Sequence, residues 1–132
     1  MTVFVDTSAF FALLDRDDAN HGKAKKAWTE LVGSDRTLMT SNYIIVESSA
    51  LIQHRLGVEA LRGFHEDVLP LINIDWIGES AHRSGMSALL AASRRKLSLV
   101  DCVSFEVMRE AGVRTAFAFD PHFEEQGFHL MP

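Results

Sequence analysis

Four carboxylates, Asp6, Glu47, Asp101 and Asp120, stand where strands of this chain should end or helices begin. Asp6 closes the apolar run Val3-Phe4-Val5, and Asp120 closes Thr115-Ala116-Phe117-Ala118-Phe119. Both should leave a parallel sheet at the edge where such folds carry their sites. Carboxylates gathered at one edge suit a hard cation. Mg²⁺ or Mn²⁺ takes oxygen donors and keeps waters that a substrate phosphate can displace.

Each acid also has an ordinary structural use. Asp before a helix is a preferred cap, which is an even alternative for Asp6. Ser98-x-x-Asp101 resembles a capping box, and Asp120 before Pro121 suits the start of a turn or short helix. Glu47 differs. At helical spacing its neighbours are Tyr43 and Ile44 on one side and Ala50 and Leu51 on the other, an apolar stripe with no Lys or Arg within four residues. An ionised carboxylate buried there is costly without a counter-charge, and a shared cation supplies one.

Other chemistries lack their residues. The histidines, His21, His54, His65, His82, His122 and His129, have no paired zinc spacing, and only His122 falls near the proposed site. The lone Cys102 makes no thiolate cluster, and there is no GxxxxGK[ST] loop, GxGxxG or GxSxG. Two lesser candidates remain. The Ser8 hydroxyl, two residues after Asp6, could bind a water beside the metal, and the Asn42 amide could contact a phosphate. Turn and capping roles suit both equally well.

The elements that must position these groups follow from periodicity. A strand is predicted over 2–5, then a helix capped by Asp6-Thr7-Ser8 and running through Leu14. A second helix runs from about Asn20 to Val32, with Ala24, Ala27, Trp28 and Leu31 on its apolar face, and Gly33 ends it. Thr37–Thr40 reads as a strand, and Ser41 caps a long helix from Asn42 to about Leu56, which stops at Gly57. A helix over 58–69, a strand over 71–76 and a helix over 79–95 follow, the last ending in Arg94, Arg95 and Lys96. Ser98 begins a helix that reaches Ala111-Gly112, and strands are predicted over 115–119 and 128–131. This alternation predicts an α/β fold with a mostly parallel sheet covered by helices on both faces.

Length and composition set the frame. At 132 residues and 47% hydrophobic, residues 1–132 fit one domain with its own core. A net charge of −5 excludes a broad basic surface, so any nucleic-acid contact must be local. One cysteine allows no internal disulfide and points to a reducing, cytoplasmic setting. The apolar stretch Phe10–Leu14 lacks a basic leader and is bounded by Asp6 and Asp15, so neither a signal sequence nor a membrane span is expected.

Taken in order, Val3-Phe4-Val5-Asp6-Thr7-Ser8, Thr40-Ser41-Asn42-Tyr43-Ile44-Ile45-Val46-Glu47, Leu99-Val100-Asp101-Cys102 and Phe119-Asp120-Pro121-His122-Phe123 resemble a PIN domain. In length and element order the whole chain is similar to the VapC-type toxins of type II toxin–antitoxin modules. The resemblance implies a three-layer α/β/α sandwich and a Mg²⁺- or Mn²⁺-dependent endoribonuclease whose metal ligands are Asp6, Glu47, Asp101 and Asp120. It also implies an RNA substrate, a small cognate antitoxin and a homodimer. Asp6 and Asp101 would be the most direct ligands, and Arg94, Arg95 and Lys96 would guide the RNA backbone. Ala118 is a departure, because the family often carries Thr or Ser there. Rival readings are a structure-specific DNA nuclease of related fold, a receiver-like regulatory module and an inactive PIN-like binding protein.

Overall fold

The computed structural model describes all residues, 1–132. Five parallel strands, β1 (Thr2–Val5), β2 (Thr37–Ser41), β3 (Asn73–Asp75), β4 (Thr115–Phe117) and β5 (His129–Met131), form one sheet in the order β3-β2-β1-β4-β5. The helices between them are α1 (Thr7–Leu14), α2 (His21–Val32), α3 (Asn42–Leu56), α4 (Val58–Gly63), α5 (Glu79–Ala92), α6 (Leu99–Ala111) and α7 (His122–Glu125). They cover the sheet in the three-layer α/β/α arrangement that the alternation predicts.

The central strand shows why. Val3, Phe4 and Val5 are all fully buried, as a strand covered on both faces must be. Phe10 of α1 meets Phe64 edge-on at 4.9 Å. A second aromatic group joins Phe105 of α6 to Phe123 of α7 at 5.1 Å and to Phe128 at 5.9 Å, with Phe4 6.4 Å from Phe123. Buried aromatics of this size dominate core energetics. Helices α5 and α6 approach so closely that a Cβ at Gly85 would lie 2.5 Å from Val103 Cγ2. That contact leaves little freedom in the placement of α6, whose first turn carries Asp101.

Four predicted elements differ by two residues or more at an end. The helix over 58–69 ends at Gly63 and continues as a wider π turn over Phe64–Val68 and a 3₁₀ turn over Leu69–Leu71, where Pro70 has no backbone N–H to give. The strand over 71–76 shortens to Asn73–Asp75. The helix over 79–95 stops at Ala92, because Ser93 turns left-handed (φ 51°) and buried Leu97 pulls the chain back to the core. Arg94, Arg95 and Lys96 therefore lie in an exposed turn and do not compensate a helix end. The strand over 115–119 stops at Phe117: Ala118 N–H still reaches Met131 O, but Phe119 N–H donates to the Ser8 hydroxyl.

Parallel register aligns the site edge. Phe4 pairs with Met39, Val5 with Phe117 and Ser41 with Asp75. Two residues on from Phe4 and one from Val5, Asp6 is level with Ser41, Asp75 and Ala118, so the strands end on a common line.

Candidate active site

Asp6 is the last extended residue before α1 and caps it, its Oδ2 accepting from Ser8 N (3.1 Å) and from Ser8 Oγ (2.6 Å). The capping use and a site use therefore coexist on one side chain. Asp6 is only 4% exposed and has no cationic partner. Burial pushes its carboxyl up to about 7; the Ser8 hydrogen bonds oppose that shift, while the charges of Asp101 and Asp120 add to it.

Ser8 does more than cap. Its hydroxyl proton is committed to Asp6, and its oxygen accepts from Phe119 N at 2.9 Å. One hydroxyl thus ties the first carboxylate to the segment that leads to Asp120. Ala118, buried and without a hydroxyl, cannot supply that link. Ser8 is better described as a positioning residue than as a ligand for a water beside the metal.

Glu47 sits in the second turn of α3, half-buried. The predicted apolar stripe is only partly present: Ile44 is buried, but Ala50 and the adjoining Val46 are exposed. The glutamate thus lies at the rim of the core. Burial raises its pKa and the charges of Asp101 and Asp120 add to the rise, while a hydrogen bond from the Thr7 hydroxyl lowers it. Thr7 in turn accepts from Ser48 Oγ at 3.0 Å. As predicted from its helix, Glu47 has no Lys or Arg partner.

Asp101 does form the capping box: its Oδ2 accepts from Ser98 N and its N–H donates to Ser98 Oγ, both at 3.0 Å. Its pKa is raised by burial and then by Asp120; the Ser98 hydrogen bonds and His122 work the other way. Asp120 Oδ1 accepts from the backbone N–H of His122 at 2.9 Å, a local turn that fixes the carboxylate without help from residue 118.

His122 is the residue that the sequence undervalued. Its Nδ1 lies 3.0 Å from Asp120 Oδ1 and 3.8 Å from Asp101 Oδ2, without hydrogen-bond alignment, and is buried without a partner. Potential ligand atoms of Asp101, Asp120 and His122 lie within 4.8 Å of one another. Asp6 and Glu47 fall outside that tight group but both feel the charges of Asp101 and Asp120. The available signal was Asp120-Pro121-His122: proline opens a helical turn that brings the imidazole back over the aspartate.

The lesser candidates separate. Asn42 Oδ1 accepts from Ile77 N at 2.6 Å, fastening α3 to the segment between β3 and α5; the phosphate contact suggested for its amide would have to come from Nδ2. Arg94 pairs with Glu125 of α7 at 3.1 Å, which sets the basic turn beside the helix that carries His122.

These residues fit a divalent cation. Oxygen donors predominate, no Lys or Arg offsets them, and an unpartnered imidazole nitrogen faces two of the carboxylates.

Known proteins share this fold. The 23S rRNA-specific endonuclease VapC20 of Mycobacterium tuberculosis is 32% identical over 127 residues, covering 96% of this chain and 95% of that protein. The crystal structure of VapC20, described as a sarcin–ricin loop cleaving toxin, superposes with a TM-score of 0.88 at 31% identity, over 98% of this chain and 99% of that one. FitAcB from Neisseria gonorrhoeae (TM-score 0.69, 14% identity, 100% and 97% of the two chains) shares the fold. So does VapBC2 from Rickettsia felis bound to promoter DNA (0.72, 10%, 98% and 97%). The PIN domain model matches residues 3–128, and the chain belongs to the PIN domain family.

Proposed function

We propose that this chain is a metal-dependent endoribonuclease, the toxin of a toxin–antitoxin pair, which hydrolyses RNA phosphodiester bonds at Asp6, Glu47, Asp101 and Asp120. The observation that carries this reading is a set of buried or half-buried carboxylates with no Lys or Arg paired to them, of which Asp6, Glu47 and Asp101 have raised pKa values. Likeness to VapC20 along the whole chain supports the substrate class.

Asp101, Asp120 and Asp6 would hold Mg²⁺ or Mn²⁺, with His122 Nδ1 as an additional donor. The cation, when bound, acidifies water and offsets phosphate charge. Glu47, on the rim and hydrogen-bonded by Thr7, would hold the attacking water and take its proton. Ser8 and the Ser98 cap keep the carboxylates in register, so the protein mainly supplies geometry. Arg95 and Lys96, exposed beside the Arg94–Glu125 pair, offer charge for the RNA backbone.

A nitrogen donor predicts a metal preference. Mn²⁺ should support faster cleavage than Mg²⁺, and His122→Ala should weaken Mn²⁺ dependence by ~10-fold while affecting Mg²⁺ less. Activity titrated against each metal checks this, and equal losses with both would remove His122 from the ligand set.

The working unit is proposed to be residues 1–132 as one domain, supported by a continuous core of 28 buried residues. A small antitoxin and a second copy are the proposed partners. Exposed Val32, Val46, Val58 and Leu90 are apolar side chains that such contacts would cover. No helix is long and apolar enough to cross a membrane, and the proposed site of action is the cytoplasm.

The test is cleavage of matched RNA and DNA oligonucleotides, including a sarcin–ricin hairpin, with Mn²⁺ or EDTA. RNA cut only with metal is the expected result; cleavage of DNA alone, or of RNA equally well in EDTA, would contradict the proposal.

A further inference from the structure

We propose that Trp76 is a stacking platform for a base of the substrate RNA close to the bond that is cut. This rests on the ribonuclease reading and adds to it a residue that selects how the strand lies in the site. Trp76 is 71% exposed, whereas Trp28 is partly buried on α2. Tryptophan is usually well buried on average, and one held out in water invites a reason.

Its position gives one. Asp75 pairs with Ser41, and Ser41 is level with Asp6 across the sheet, so Trp76 stands one residue beyond the line on which the strands end. It lies two strands from β1, about 10 Å at the usual strand spacing. Across that edge the order is the basic turn and α7, then Asp120, then Asp6, then α3 with Glu47, then Trp76. A single strand crossing the carboxylates would meet positive charge at one end and an aromatic face at the other. Phosphate attraction combined with base stacking is how single-stranded RNA is held.

The mounting is firm. Asn42 Oδ1 grips the N–H of Ile77 at 2.6 Å, so the residue after Trp76 is tied to the start of the helix that carries Glu47. Tyr43, next along α3, hydrogen-bonds His82 of α5, closing the space between the two helices. A backbone anchored in this way beside Trp76 loses little conformational freedom on binding.

The surroundings favour a base over a protein partner. Asp75, Gly78 and Glu79 are all exposed, and Glu79 is paired with Arg83 at 2.9 Å. A protein anchor usually sits within an apolar ring that excludes water, and exposed Asp75, Gly78 and Glu79 beside Trp76 in the chain contribute nothing to one. Unpaired Asp75 also disfavours a phosphate here, which leaves the uncharged base as the part of a nucleotide that fits.

Binding would be measured by anisotropy with a fluorescein-labelled hairpin RNA, using full-length protein carrying Asp101→Asn so that the probe survives. Trp76→Ala should weaken binding about 5- to 100-fold, and Trp76→Phe should recover most of it. In the cleaving protein the loss should fall in KM, with the melting temperature unchanged. With Trp28→Phe as background, RNA should quench the remaining tryptophan fluorescence. Unchanged affinity and KM in Trp76→Ala, or Trp76→Phe as weak as Ala, would overturn the proposal while leaving the ribonuclease reading intact. So would a variant that keeps RNA but loses the antitoxin. Wild-type protein that neither binds nor cuts any RNA would overturn both.

Discussion

Asp6→Asn will melt higher than wild type in EDTA, and the gap will widen from pH 5 to pH 8. The Asp6 carboxyl rises from 3.8 to about 7 in the folded protein, chiefly through burial. Between those values the folded chain holds a proton that the unfolded chain has released. Stability of the metal-free protein therefore falls as pH rises from about 4 through about 7 and levels off above. About three pH units at roughly 1.4 kcal/mol each set an upper bound of about 4 kcal/mol. Glu47 and Asp101, both raised mainly by burial, act in the same direction.

Asparagine in place of Asp6 can still accept from Ser8 N and Oγ, so the cap of α1 survives while the buried charge is removed. A gain of a few kcal/mol corresponds to roughly 10 °C for a chain of this size. Saturating Mn²⁺ should narrow or reverse the difference, because wild type gains from binding and the variant gains less. Thermal melts across pH with and without metal check the sign. A wild-type stability in EDTA that climbs from pH 5 to pH 8 would contradict it.

The second large effect is on catalysis. Asp101→Asn should lower the cleavage rate by about a thousandfold or more at saturating Mn²⁺, the several kcal/mol expected when a ligand of a catalytic cation is lost. The fold should survive, since the asparagine oxygen can still accept from Ser98 N and keep the α6 cap. Asp101→Ala also loses the carboxylate half of the capping box, though Ser98 Oγ still accepts from the N–H of residue 101, and should cost about 1 kcal/mol of stability in addition to the activity. Comparing the two separates the structural use of this carboxylate from its chemical use. Growth arrest on expression should disappear with either. A rate for Asp101→Asn within tenfold of wild type would remove Asp101 from the site.

Much of this arrangement was legible in the chain because its signals are local. Ser41 before Asn42, Ser98 three residues before Asp101 and the apolar run before Asp6 announce element ends by hydrogen-bond chemistry that needs no tertiary knowledge. What could not be read depends on contacts between distant residues. Ser8 accepting from Phe119, 111 residues away, both ends β4 early and supplies the order that Ala118 cannot. The structural use of the Asn42 oxygen was hidden because Ile77, its partner, comes 35 residues later. Arg94, Arg95 and Lys96 suited a helix end by charge, but burial of Leu97 ends the helix sooner. Glu47 looked more deeply buried than it is because a helical stripe predicts a face without saying where that face meets the rim. His122 was visible as a neighbour of Asp120; the orphaned nitrogen pointing at two carboxylates was not.

The central claim is that these carboxylates share one cation-binding site. Calorimetric titration of Mn²⁺ into metal-free protein at pH 7, comparing wild type with Asp101→Asn and Asp120→Asn, tests it most directly. Saturable binding by wild type with release of protons, weakened at least ~10-fold in both variants, is the predicted result. Binding of equal strength in all three proteins would contradict it.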